Sequence, residues 1–110
     1  MLKSIVMFAF FLISANAYSA EKTKIVRVTC YTTQWAYCNI KVDPAIRVSN
    51  TSDVQSEFAI PIGSDQVLGK NMLNLAYLAY STGDQITLDV RNEKTPYNTW
   101  IIYWMNIWKQ

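Results

Sequence analysis

Two cysteines eight positions apart, Cys30 and Cys38, constrain this chain more than any other feature, because each lies in a run of alternating apolar and polar residues. Val26, Val28 and Cys30 alternate with Arg27 and Thr29, while Ala36, Cys38, Ile40 and Val42 alternate with Tyr37, Asn39 and Lys41. Alternation of period two marks a strand with one buried face, and it puts both cysteines on the apolar side. A turn centred on Gln34 would oppose them across an antiparallel hairpin, where a non-hydrogen-bonded pair has the Cα separation a disulfide accepts. Closing so short a loop stabilises by about 2 to 3 kcal/mol in the chain-entropy model. The Cys-x-x-Cys spacing of a redox pair is absent, so the bond is read as structural.

A disulfide needs an oxidising compartment, and the start of the chain supplies a route to one. Lys3 precedes an apolar run from Ile5 to Ile13, followed by the small-residue stretch Ser14-Ala15-Asn16-Ala17-Tyr18-Ser19-Ala20. The run is shorter than the roughly 20 residues needed to span a bilayer, and Ala15-Asn16-Ala17 has small side chains at the cleavage-recognition spacing. Residues 1–20 are therefore read as a secretory signal peptide and residues 21–110 as a single domain, secreted or periplasmic after cleavage. No second long apolar segment follows, so no membrane insertion is expected. The exported part carries nine basic and eight acidic side chains with no block of like charge, and nucleic acid is not an implied partner.

The chain contains no histidine. Ser-His-Asp and Cys-His nucleophile systems cannot be assembled from it, nor can a His-ligated metal centre. The eight carboxylates show no acid and base pair at a recognisable spacing. No catalytic residue, metal or cofactor is expected, and the chain is read as a binding protein rather than an enzyme.

Further along, Asp43-Pro44 and Asn50-Thr51-Ser52-Asp53 read as turns around a short third strand or edge segment, Ala45-Ile46-Arg47-Val48. Glu57 to Pro61 reads as a strand that Pro61 ends. A helix is predicted over residues 65–81, with Ser64 as N-cap, Asp65 placed favourably for the helix dipole and Gly83 just past the end. Leu68, Met72, Leu75 and Ala79 form its core-facing stripe, while Leu73, Tyr77 and Tyr80 make a second apolar flank suited to a subunit contact. Ile86, Leu88 and Val90 face inward from the next strand, with Thr87, Asp89 and Arg91 toward solvent. In the last strand Trp100, Ile102, Trp104 and Trp108 share one face, and Ile101, Tyr103, Met105 and Ile107 the other. Both faces are apolar, which makes Trp100, Trp104 and Trp108 candidates for an oligomer interface or a sugar-stacking platform. The order of strands and helix is that of a mainly β protein with one α-helix, an OB-fold-like five-stranded Greek-key barrel with the helix between strands three and four.

Tyr77-Leu78-Ala79-Tyr80-Ser81-Thr82-Gly83, followed by Ile86-Thr87-Leu88-Asp89-Val90, resembles the helix end and following strand of the B subunits of subtilase cytotoxin and typhoid toxin. Ala36-Tyr37-Cys38 resembles their aromatic-aromatic-Cys strand, and the likeness runs over roughly residues 23 to 108. It implies a homopentameric ring of OB-folds that binds sialylated or related host glycans and delivers a separate catalytic A subunit. The family's glycan-binding serine falls on Thr23. Its glycan-contacting tyrosine after the helix is Val90 here, its second cysteine pair is missing, and Cys38 pairs upstream with Cys30 instead of downstream.

The expectation is a secreted, non-catalytic, toxin B-subunit-like protein that recognises host cell-surface glycans as a homo-oligomer. Thr23, Arg27 on the outer face and Trp35 in the hairpin turn are its candidate glycan contacts. The alternative is a periplasmic OB-fold protein that binds a single protein partner, of immunity or inhibitor type.

Overall fold

The computed structural model describes residues 20–31, 36–63 and 67–109. Residues 1–19 of the segment read as a signal peptide, Trp35, and the predicted helix-start residues Ser64 and Asp65 lie outside the described residues. The elements run β1 (Lys24–Cys30), β2 (Tyr37–Arg47), β3 (Val54–Pro61), α1 (Val67–Thr82), β4 (Gln85–Lys94) and β5 (Trp100–Trp108). The protein is mainly β, with its helix between β3 and β4.

β1 and β2 form the predicted hairpin, with Cys30 directly opposite Cys38 and the two joined by a disulfide across a Cα separation of 4.3 Å. The alternation expected in β1 is kept only in part: Val28 packs against the core, but Cys30 at the strand end is exposed. A bulge between Ile25 and Arg27 leaves Val26 without a partner, so Ile25 takes the core position opposite Val42 and Val26 faces solvent.

β2 is longer than predicted. It continues through Asp43-Pro44, whose peptide bond is cis, to Arg47, so residues 45–47 are the far half of β2 rather than a separate strand. Its pairing with β3 breaks between Lys41 and Ile46 and then resumes, which puts the proline where the ladder is already interrupted. Ile46 and, just beyond the strand, Val48 are buried. β3 begins earlier than predicted, at Val54, and ends at Pro61 as expected.

α1 packs chiefly against β1, with further contacts to β3 and β5. Its contact face is drawn by small residues, Ala76 and Ala79, flanked by Met72, Leu73 and Leu75. Leu68, predicted to lie in the core stripe, is 79% exposed. Its neighbour Gly69 makes the close approach instead: a Cβ there would lie 1.4 Å from the Pro61 carbonyl oxygen. Gly83 ends the helix at φ 73°, its N–H donating to the Ala79 carbonyl at 3.0 Å, the left-handed cap that glycine adopts without steric cost.

β4 and β5 pair antiparallel with a slip between Asp89 and Val90 that leaves Tyr103 as the extra residue on β5. The slip reverses the side-chain parity expected for the last strand. Ile102 faces the core before it and Met105 and Ile107 after it, while Trp104 and Trp108 move to the other face. Thr87, predicted to face solvent, is only 4% exposed, because the Trp108 indole lies over it and donates to its Oγ1 at 2.9 Å.

The strands form one mixed sheet in the order β1-β2-β3-β5-β4. β3 and β5 are the parallel neighbours and are registered at one pair, Ala59 with Ile101. The outer edges meet at a bridge between Thr23 and Ile86, whose N–H and C=O groups exchange hydrogen bonds of 2.9 and 2.7 Å. Ile25, Ile40, Val42, Phe58, Ile60, Ile86, Leu88, Ile102 and Met105 fill the enclosed space, and α1 adds Ala76 and Ala79.

Two outcomes follow from this packing. Gly69→Ala forces either α1 or the end of β3 to move and is expected to cost about 3 kcal/mol, measured as a lowered denaturation midpoint; an unchanged midpoint would refute the close approach. The double variant Cys30→Ala with Cys38→Ala is expected to lose about 2.5 kcal/mol while keeping the strand signal in circular dichroism.

Candidate functional site

Away from the Ala59–Ile101 pair, β3 and β5 are not registered with each other, and a cleft of about 270 Å³ lies between them. Gln55, Ser56 and Glu57 of β3 form one wall, and Asn98, Thr99 and Trp100 form the other.

The second wall is built by the β4–β5 loop. Thr95 is buried and organises this loop: its N–H donates to the Thr99 carbonyl at 2.8 Å, and its hydroxyl oxygen accepts from the N–H groups of Tyr97 and Thr99. Asn98 takes the left-handed conformation, φ 67°, which asparagine tolerates better than most residues. Its Oδ1 accepts from Lys94 Nζ at 3.2 Å, and the same ammonium lies 4.7 Å from the centre of the Trp100 ring.

The floor is fixed from the β2–β3 turn. Trp100 Nε1 donates to Asp53 Oδ2 at 3.1 Å, and Gln55 Nε2 donates to Asp53 Oδ1 at 2.9 Å. These two bonds, chiefly the indole, hold the Asp53 carboxyl below its ordinary range; Lys94 adds attraction and burial opposes it. The Asp53 backbone is itself anchored, its carbonyl accepting from Val48 N–H at 2.7 Å and its N–H donating to Thr51 Oγ1 at 3.0 Å. On the outer side of β3, Arg27 Nη2 donates to Glu57 Oε1 in an exposed ion pair. The cleft therefore presents carboxylate and amide oxygens, hydroxyls and one indole. Groups of these kinds can hydrogen-bond polyhydroxylated or amide ligands. Among the described residues, no group of three His, Cys, Asp or Glu side chains is placed to hold a metal ion.

The sequence-predicted residues fall in three places. Trp100 lies in the cleft and Arg27 at its margin, tied to Glu57. Thr23 lies inside the fold: it has no exposed surface, its hydroxyl donates to the Pro44 carbonyl at 2.6 Å, and its backbone bridges to Ile86. A side chain enclosed in this way takes part in closing the sheet. Trp35 lies outside the described residues.

The interface candidates are also divided. Leu73 is half-buried against the core, whereas Tyr77 and Tyr80 are exposed on α1 beside the exposed Leu78. Tyr77 Oη lies 3.8 Å from Cys30 Sγ. Trp104 is half-buried. Trp108 is part exposed but is laid across its own sheet, with Lys22 Nζ 4.5 Å from its ring centre. Val90 is half-buried and packs against the core. Sequence reading placed Asp53 in a turn and Glu57 at the start of a strand and gave no role to Gln55, Ser56, Asn98 or Thr99, because nothing local joins groups 47 positions apart such as Asp53 and Trp100.

No protein-family model, no curated protein and no solved structure matches this chain.

Asp53 supplies a pH test. Its folded pKa lies below the ordinary 3.8, so its contribution is present above that value and is lost as the pH falls through the lower, folded one. The Trp100 indole N–H resonance is expected to stay constant from neutral pH down to about 4 and to move only in more acid solution. In Asp53→Asn that acid step is expected to vanish; a step retained in the variant would assign it to another group.

Proposed function

We propose that this chain is a secreted, non-catalytic binding protein that recognises host cell-surface glycans as an oligomer, in the manner of a toxin B subunit. The sheet order, its Thr23–Ile86 closure and the helix between β3 and β4 support reading the fold as an OB-fold-like Greek-key barrel. The Cys30–Cys38 disulfide is compatible with export to an oxidising compartment.

The observation that carries the glycan reading is the cleft between β3 and β5. Its polar side chains are preset by bonds to one another, and Trp100 adds an aromatic surface. Preset acceptors and hydroxyls beside an indole suit a sugar, whose hydroxyls donate in pairs and whose C–H face is apolar. The cleft is small and open, so a single site is weak and wet, and useful affinity at a cell surface comes from several copies acting together. The partner that this reading calls for is a separate toxin A subunit carried by the oligomer.

A second reading, one protein partner of immunity or inhibitor type, is favoured by a different observation, the exposed Tyr77, Leu78 and Tyr80 on α1. Oligomerisation would cover the same residues. Light scattering of the mature protein under non-reducing conditions separates the two: a mass near five chains supports the ring, and a monomer supports the single-partner reading.

For the glycan role, Trp100→Ala is expected to lower binding to an array of host glycans by about tenfold, the loss of roughly 1.4 kcal/mol of aromatic contact. Trp100→Phe keeps a packed ring and is expected to retain part of the binding. Equal binding by all three proteins would remove the cleft as the glycan site.

A further inference from the structure

The two amide side chains of the cleft stand on opposite walls, Gln55 on one and Asn98 on the other, and each is tied to an ion that hydrogen-bonds in one direction only. The ionised Asp53 carboxylate only accepts, so the end of Gln55 that meets it at 2.9 Å is the Nε2 amino group. The Lys94 ammonium only donates, so the end of Asn98 that meets it at 3.2 Å is the Oδ1 oxygen. What is left for a ligand is the converse end on each wall. Gln55 keeps its Oε1 acceptor and Asn98 its Nδ2 donor, and neither atom is hydrogen-bonded to another of the described residues.

Charge does not choose the ligand. Glu57 is paired with Arg27 and stands in register with Lys41, and Lys94 is bonded to the other wall, so cations and carboxylates are interleaved around the cleft and favour neither an anionic nor a neutral ligand. Hydrogen-bond direction does discriminate. A hydroxyl both donates and accepts and adapts to either end of an amide, whereas the N–H of a secondary amide only donates, its C=O only accepts, and the two point to opposite sides of a planar group. The volume, about 270 Å³, falls just short of the roughly 300 to 1,000 Å³ of sites for drug-sized ligands, so the cleft holds one sugar unit and not a long oligosaccharide.

We propose that the cleft between β3 and β5 selects sugar units that carry an acetamido group, an inference that rests on the glycan-binding role above. The acetamido N–H donates to Gln55 Oε1, its C=O accepts from Asn98 Nδ2, and its methyl group lies toward the apolar surface of Trp100. Ser56, Thr99 and Glu57 supply partners for the ring hydroxyls, which a bare peptide amide does not bring.

The test titrates the mature protein with N-acetylglucosamine, with glucose and with N-acetylglycinamide, following the Trp100 indole resonance. N-acetylglucosamine is expected to bind about tenfold more tightly than glucose, the scale of one to two net hydrogen bonds, and more tightly than N-acetylglycinamide, which has the amide but no ring hydroxyls. Asn98→Asp keeps an acceptor for Lys94 and replaces the Nδ2 donor by an oxygen, so the preference for N-acetylglucosamine over glucose is expected to shrink to about twofold or less. Both sugars are neutral, so the added charge does not itself separate them. Gln55→Met removes the Oε1 acceptor at nearly the same side-chain length and is expected to shrink the preference likewise; melting temperatures show which variants keep the fold, and either one suffices for the test.

Equal binding of the two sugars, or a preference unchanged in the folded variants, would overturn the acetamido selectivity while leaving the glycan role standing. N-acetylglycinamide bound as tightly as N-acetylglucosamine would overturn it in favour of a peptide amide. Glycans retained on the array while neither sugar moves the Trp100 resonance would overturn it too, because the glycan site would then lie elsewhere. If neither sugar moves the resonance and the array retains nothing, the glycan role itself fails and the selectivity with it.

Discussion

The covalent link between Cys30 and Cys38 sets the register of β1 on β2, and β2 is the strand on which the sheet is assembled, since it pairs with β1 on one side and β3 on the other. A slip of one residue along a strand moves every side chain to the opposite face. With Cys38 held opposite Cys30 and also registered with Ile60, the inward set of Val28, Ile40, Phe58 and Ile60 is aligned together. The far ends of the same strands are adjusted by local irregularities, at Val26 in β1 and through Asp43-Pro44 in β2, and these let the sheet turn until Thr23 reaches Ile86. The crosslink thus acts at one end of the hairpin and the backbone bridge near the other.

That curvature is also what opens the cleft between β3 and β5. β3 is bound to β2 along most of its length but is registered with β5 at only one pair. The unpaired stretch is polar, and its side chains satisfy one another: Gln55 and Trp100 donate to Asp53, Lys94 to Asn98, and Arg27 to Glu57. A stretch of this kind remains wettable, because its groups do not need a neighbouring strand, and the side chains that are bonded to their neighbours hold fixed orientations. The cleft is therefore formed by the same sheet geometry that encloses the core. The exposed tyrosines of α1, Tyr77 and Tyr80, are not part of the cleft lining.

Part of this arrangement is legible residue by residue. Alternation around Cys30 and Cys38 indicates an antiparallel hairpin, Pro61 marks the end of β3, and Gly83 marks the end of α1, because in each case the cause lies within a few positions of the effect. The readings that changed all depended on bulges or on distant contacts. Val26 turned outward because one residue of β1 is unpaired. Trp104 and Trp108 changed face because Tyr103 is extra in β5. Thr23 and Thr87 were buried by residues far along the chain, Pro44 with Ile86 in the first case and Trp108 in the second. Leu68 lost its place in the core because Gly69 is the residue that meets β3.

The sequence by itself determined the elements, their order, the disulfide and the exclusion of histidine-based chemistry, since these rest on residue identity, local periodicity and short-range chain geometry. It carried the cleft only as scattered parts: a turn aspartate, polar positions in β3, a loop asparagine and a tryptophan. Tertiary structure alone decided that these parts meet. The positions where a ladder skips a residue, and the place where two parallel strands stop pairing, are set by how the whole sheet closes over its core, and no short window of sequence contains that constraint.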